Sequence, residues 1–333
     1  MNNNTIDFVI PWVDGADPIW REEKNKYFKE KYNKAVENKL YRDWDMLMYW
    51  FRGVEKFAPW VNNIYFITWG HIPKFLNVNH PKLKIINHKD YIPREFLPTF
   101  NANTIELNIH RIEGLSEQFV YFNDDMFLVD NVEKSDFFNN GLPCDTAIIQ
   151  PIYPSSRDDG FYHILSNDIS LINLNFKKRK VLMKNIFKWL NPKYKKFGLL
   201  NLYFCLINKF EGFRNFHLPS AFLKSTLDEV WEKEYDKLYN TSTHKFRNNE
   251  DVNQYIFSYW QFAKGNFYPR KYDIGKYFTI GKDSKEICDS IINKKYKMIC
   301  INDTCEEIDF DVEKNNIKKA FESILPHKSE FEI

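Results

Sequence analysis

The sequence predicts an α/β fold, with a Rossmann-like, mostly parallel sheet in the first half and a helical C-terminal half. Two observations predict it. Short apolar, β-branched runs such as "IDFVIPWV" alternate with segments of helical periodicity. Such alternation implies a sheet covered on both faces, whose strands read as continuous apolar runs. Two of the runs, "IDFVIPWVDGAD" and "QFVYFNDD", finish abruptly in carboxylates.

In chain order, Ile6–Val13 is the first strand. Leu47, Phe51, Val54 and Phe57 recur at three- and four-residue spacing, which predicts a helix over 43–57 with Asp43 or Asp45 as N-cap. "NNIYFITWG" and "PKLKIINH" read as strands, a helix begins near Asn103, and "QFVYFND" is the next strand. In open sheets of this kind, ligands bind beyond the carboxyl ends of the strands. Asp14 and Asp17, like Asp124 and Asp125, therefore either face a binding crevice or are simply turn residues. The pattern leaves both readings open.

A chain of 333 residues suits one elaborated domain or two intimately packed ones. The organisation expected is an α/β nucleotide-sugar-binding core over 1–175, a basic-amphipathic helical insertion over 176–212, and a helical part over 213–333 that completes the active site. A net charge of +2 provides no global field for nucleic acid, so no nucleic-acid partner is expected. Five cysteines without a CxxC pair, and no apolar leader, argue for a reducing cytoplasm and against zinc. The longest apolar tract, Phe197–Ile207, is too short to cross a bilayer.

Residues 177–210 differ in character. They hold nine Lys, one Arg and no acid, interleaved with Leu, Ile, Phe, Trp and Tyr. The stretch is either a solvated helical face around an apolar stripe or a surface for anionic lipid headgroups. The second reading expects peripheral contact with the inner face of the cell membrane.

"FNDDMF" carries the clearest chemistry. Two adjacent carboxylates within a strand point to opposite faces, but at its end the chain can turn and bring both to one ion. Hard oxygen ligands suit Mg²⁺ or Mn²⁺ bridging a nucleotide's phosphates. In "NANTIELNIHRI", Ile105, Ile109 and Ile112 form an apolar stripe, and Asn103, Glu106 and His110 share another face. That face is an ordinary solvated one, or its helix N-terminus meets a phosphate. His217 in "FRNFHLPSAF" and His244 in "TSTHKFRNNED", beside Lys245 and Arg247, offer the base and the cations that phosphoryl transfer needs.

Together these stretches resemble the Stealth family of sugar-1-phosphate transferases, which includes bacterial capsular polysaccharide phosphotransferases and the catalytic subunit of the lysosomal-enzyme GlcNAc-1-phosphotransferase. Four family blocks follow in order. "IDFVIPWVDGADPIW" is similar to the first, and the second runs from "YRDWDMLMYW" to "FNDDMFL". "HLPSAF" with "THKFRNNEDV" is similar to the third, and "MICINDTCEE" with "ILPHKSEFE" to the fourth. The resemblance implies a fold like that of nucleotide-sugar transferases. It also implies transfer of a hexose-1-phosphate from a UDP-sugar to a hydroxyl of a glycan or lipid-linked acceptor, with release of UMP.

By the same resemblance, Asp124, His217 and Arg247 are catalytic, and Asp124 with Asp125 holds Mg²⁺ or Mn²⁺. Trp12, Asp14, Gly15 and Asp17 lie at the nucleotide end. Arg42, Asp43, Asn101, Asn103, Glu106, His110, Arg111, Asn123 and His244 complete the substrate contacts. Either His217 or Asp124 is the base. A glycosyltransferase that releases UDP is the alternative reaction, and a non-catalytic carbohydrate-binding protein is a more distant one.

Overall fold

A computed structural model describes residues 5–28, 44–157, 159–303 and 308–333. The apolar runs form strands β1 Ile6–Trp12, β2 Ile64–Thr68, β3 Leu83–Asn87 and β4 Gln118–Tyr121. All are parallel, in the order β3-β2-β1-β4. The C-terminal half supplies strands as well as helices. Strand β5 Met126–Leu128 lies antiparallel to β11 Met298–Asn302, which is parallel to β10 Gly275–Thr279. Strands β6 Phe138–Asn139, β7 Leu142–Asp145 and β9 Tyr268–Pro269 form a small third sheet. Strand β8 Ser220–Leu223 closes the main sheet, antiparallel to β4.

Side-chain alternation divides the core into two layers. Phe8 and Ile10 of β1 join Val120 of β4 and the following Phe122 on one face; Val9, Phe119 and Tyr121 face the other. The first face is covered by the helix Leu47–Phe57, which buries Trp50, Phe51, Val54 and Phe57. This helix starts later than the periodicity suggests. Met46 takes the N-cap position without a side-chain bond, Asp45 has φ of +50° and pairs with Lys314 at 2.5 Å, and Asp43 lies outside the described residues. The helix packs so closely on β5 that a Cβ at Gly53 would lie 2.9 Å from the Leu128 carbonyl oxygen.

The other face is covered by the helices Gly160–Asn175 and Tyr255–Lys264. The second buries every residue from Tyr255 to Ala263, and full burial of a side chain such as Phe257 contributes about 2–3 kcal/mol. Gly265 ends it at φ of +75°, where a side chain would be strained and would also strike Asn185.

The strand order places the ligand crevice. The chain runs outward from β1 through β2 to β3, then returns to lay β4 on the opposite side of β1. The order therefore reverses between β1 and β4, where the loops beyond the carboxyl ends diverge and open a crevice.

Candidate active site

A cavity of about 1460 Å³ opens at that switch point, roomy against the several hundred Å³ of ordinary small-ligand sites. Strand β1 delivers Trp12, Asp14 and Gly15 to it, and β4 delivers Asn123, Asp124 and Asp125. His217 arrives by register. In the antiparallel β4–β8 pair Ser220 opposes Tyr121, so the residues just before β8 lie beside the residues just after β4. His217 Nε2 is consequently 3.9 Å from Asp125 Oδ2.

The acid turn is held from behind. Met126 N–H donates to the Asn123 carbonyl, and Ile301 N–H of β11 donates to the Asp125 carbonyl. The Cys300 thiol donates to Asp125 Oδ2 at 3.2 Å. Burial, then the neighbouring Asp125 carboxylate, pushes the Cys300 thiol well above its ordinary pKa, so it remains a donor. Tyr121 Oη lies 2.8 Å from Glu106 Oε1 and 2.6 Å from Asn123 Oδ1, coupling Glu106 to the turn. Burial raises the Glu106 pKa, opposed by Arg247, by the Tyr121 bond and by His217.

His217 occupies a left-handed backbone conformation, φ of +48°, with its N–H donating to Asn215 Oδ1 at 2.8 Å. Its Nδ1 lies 2.7 Å from Tyr255 Oη. Burial pushes the Tyr255 phenol well up, so it stays protonated. The Tyr255 contact engages Nδ1, so Nε2 is the ring nitrogen turned toward Asp125 and the cavity.

The loop after β1 is shaped by its acids. Asp14 Oδ1 accepts from Ala16 N–H, and Asp17 caps the helix Pro18–Tyr27 through Ile19 and Trp20 N–H. The Trp20 N–H leads the interactions that lower the Asp17 pKa, against the burial that raises it, with Ile19 and His71 assisting. His71 Nε2 accepts from Asp14 N–H at 2.8 Å, and its Nδ1 lies 3.2 Å from Asp17 Oδ2. Asp17 is thus a helix cap that steers Asp14 and does not line the cavity.

Comparison with known proteins decides the family. The signature described as Stealth protein CR1, conserved region 1, matches residues 4–32, and Stealth protein CR2, conserved region 2, matches residues 40–144. A capsular polysaccharide phosphotransferase WcwK of Streptococcus pneumoniae is 46% identical over 99% of this chain and 99% of its own. The receptor polysaccharide phosphotransferase WefC of Streptococcus oralis is 40% identical over 99% of this chain and 100% of its own. The exopolysaccharide phosphotransferase cps2G of Lactiplantibacillus plantarum is 42% identical over 98% and 96%. This chain belongs to the Stealth family. It is a phosphotransferase enzyme.

The residues that the Stealth resemblance singles out separate by their place in the structure. Trp12, Asp14, Gly15, Asn103, Glu106, Asn123, Asp124, Asp125, His217 and Arg247 line the cavity. Asn101 and His244 stand behind it, on the buried carboxylate of Asp251. Asp251 Oδ2 accepts from Asn101 Nδ2 and Asn103 Nδ2, each at 2.9 Å, and from Asn248 N–H at 3.0 Å. Its Oδ1 accepts from His244 Nδ1 at 2.6 Å. This knot fixes the loop that carries Arg247 and Asn248 into the cavity.

His110 and Arg111 are not brought to the cavity. The helix predicted near Asn103 spans only Ala102–Leu107, with Asn101 as its cap, and His110 and Arg111 fall in a 3₁₀ turn beyond it. His110 is buried against Trp231, where desolvation lowers its pKa to about 3. The shared face read from α-helical spacing therefore ends at Glu106. Arg42 and Asp43 lie outside the described residues.

Sequence reasoning missed His71, Cys300, Tyr255 and Asp251. His71 had a signal, because it lies just beyond the carboxyl end of β2, where the rule that selected Asp14 applies equally. Asp251 and Cys300 lie inside the third and fourth family blocks, where nothing marked them out from their neighbours, and Tyr255 had no signal.

The donors fit a divalent cation. Asp125 Oδ1 is buried without a hydrogen-bond partner, an arrangement that a cation would satisfy. Donor atoms of Asp125, His217 and Cys300 lie within 4.8 Å of one another. The group brings together one carboxylate, one imidazole and one thiol that its raised pKa keeps neutral, and Asp124 is not among these clustered donors.

Proposed function

We propose that this enzyme transfers a hexose-1-phosphate from a UDP-sugar to a hydroxyl of a glycan acceptor in capsular or exopolysaccharide synthesis, releasing UMP. The convergence of Asp124, Asp125, His217 and Arg247 in one cavity at the β1/β4 switch point carries this reading. In this assignment residues 1–175 bind the donor nucleotide and residues 213–333 supply His217 and Arg247. Trp12 to Gly15 hold the nucleotide end.

The acceptor oxygen attacks the phosphorus that bears the sugar, its proton passes to His217 Nε2, and the bond from that phosphorus to the bridging oxygen breaks. UMP leaves with the bridging oxygen, and the sugar phosphate becomes a phosphodiester. In this assignment His217 takes the tautomer that donates Nδ1–H to the Tyr255 oxygen, which leaves Nε2 free to accept that proton. Arg247 neutralises charge on the equatorial oxygens of the transferring group. A divalent cation held by Asp124 and Asp125 would screen the diphosphate charge when bound.

The experiment is product identification. The enzyme is incubated with Mg²⁺, a panel of UDP-sugars and a crude glycan acceptor, with Asp124→Asn as control, and UMP is separated from UDP. UMP formed only by the unmodified enzyme is expected. Release of UDP would replace this reading by sugar transfer without phosphate. Retention of more than a few per cent of activity by Asp124→Asn would remove Asp124 from its role. The basic segment 177–210 is proposed to hold the enzyme at the cytoplasmic face of the membrane.

A further inference from the structure

Residues 178–207 expose two apolar stripes, although Val181, Trp189 and Tyr194 are buried. The helices Lys178–Lys184 and Ile186–Trp189 present Met183, Ile186 and Phe187 to solvent, with Leu190 just beyond, at spacings of three, four and seven residues. The helix Gly198–Phe204 repeats the pattern with Leu199, Leu202 and Tyr203, and Leu206 just beyond it. Phe187 is 85% exposed and Leu206 86%. Polar side chains meanwhile point inward. Lys178 is buried, with Nζ donating to the Phe204 and Lys209 carbonyls and to Glu211 Oε2 at 2.8–2.9 Å. Buried Asn201 donates to the Ala147 and Trp189 carbonyls and accepts from Ile149 N–H.

Water alone would select the opposite arrangement, since an amphipathic helix buries its apolar stripe. The outward stripes are held in this orientation by Trp189 and Tyr194, which anchor the segment fully buried in the body of the protein. Around the two apolar stripes Lys177, Arg179, Lys180, Lys184, Lys195, Lys196 and Lys209 are exposed. Among the described residues, the acids that pair with the segment are Glu211, on Lys178, and Asp273, on Lys195. Apolar side chains ringed by cations match an anionic bilayer surface, where the first enter the acyl boundary and the second meet headgroups.

The segment also borders the cavity. Phe197 lines it, stacks edge-on to Tyr272 and lies under the Arg214 guanidinium, and both of those residues line it too. No helix among the described residues is long and apolar enough to cross a membrane.

We infer that the Met183–Leu206 surface inserts into an anionic bilayer and that the acceptor is a glycan anchored in that bilayer, delivered over the Phe197 rim. The acceptor assignment rests on the transfer reaction proposed above; the insertion does not.

The test uses the full chain with sedimentable vesicles of phosphatidylcholine alone or mixed with phosphatidylglycerol. Unmodified enzyme should sediment with the mixed vesicles and stay in solution with the neutral ones. Phe187→Ser combined with Leu206→Ser leaves charge unchanged and should weaken binding about tenfold or more. Lys180→Gln with Lys184→Gln, at positions equally remote from the core, should weaken it through charge alone. Asp124→Asn should bind as the unmodified enzyme does, so loss of catalysis and loss of docking are separable. The apolar variant should keep its turnover on a water-soluble acceptor but lose its advantage on a lipid-anchored one in mixed vesicles. Equal recovery on both vesicle types, or full binding by both double variants, would overturn the insertion. Conversion of a dimer to a monomer by the apolar variant, without a change in vesicle binding, would assign the surface to a second copy instead. Retained docking with no preference for the anchored acceptor would overturn the acceptor assignment alone.

Discussion

Replacing Asp251 should disable the enzyme from behind the cavity wall. Its carboxylate is fully buried and accepts from Asn101, Asn103 and His244 side chains and from Asn248 N–H. In Asp251→Ala the buried Asn101 and Asn103 amides lose this acceptor, and unsatisfied buried donors cost about 1–3 kcal/mol each, or about 2–6 kcal/mol for the pair. His244 and Asn248 are partly exposed and turn to water. Asp251→Asn is the discriminating control. Its amide oxygen can keep the three donors on Oδ2, and its NH₂ can donate to His244 Nδ1 in the other tautomer, for a loss of about 1 kcal/mol.

Urea unfolding should therefore rank the stabilities as unmodified, then Asn, then Ala. Because the knot aims Arg247, the Ala variant should also lose about a hundredfold in kcat/KM for UMP release, the usual effect of an ångström of misplacement. An Ala variant that unfolds within about 1 kcal/mol of the unmodified enzyme and turns over normally would refute the reasoning.

Acid sensitivity should trace to buried histidines. Desolvation lowers His88 to about 4 and His110 to about 3, from 6.5. Both rings are neutral when folded, whereas unfolded chains take up protons below pH 6.5. Their contribution is complete above that pH and is lost as pH falls toward about 4 and about 3, amounting to about 3 kcal/mol for His88. Urea midpoints should fall from pH 6.5 to 4, and His88→Gln should flatten that slope by close to one proton; an unchanged slope would show that the ring titrates when folded. Gly53→Ala should lower Tm despite its better helix propensity. The new methyl meets the Leu128 carbonyl, held in strand pairing, and overpacking of this kind costs about 1–3 kcal/mol. A higher Tm would show that the helix can move off β5.

By itself the sequence determined the four parallel strands, because central strands such as β2 are buried on both faces and leave apolar runs, and the edge strand β3 keeps enough of that pattern around its exposed Lys84 to be read. It determined the acids at the strand ends for the same reason, since apolar runs that stop at Asp14 and Asp124 mark where the sheet ends and solvent begins. The helix over 47–57 was legible in its stripe, although the packing of its first turn shifted its start. Tertiary structure alone decided which candidates meet. His217 reaches Asp125 through an antiparallel register between strands about a hundred residues apart, and no local periodicity encodes a register. His110 and Arg111 left the site because their helix ends at Leu107, which α-helical spacing could not foresee. The Asp251 knot was equally hidden, and the sequence left two readings of residues 177–210 open until the fold placed the apolar stripes of residues 183–206 in solvent. In both, the pattern records which side chains are polar, while the fold decides which of them face inward.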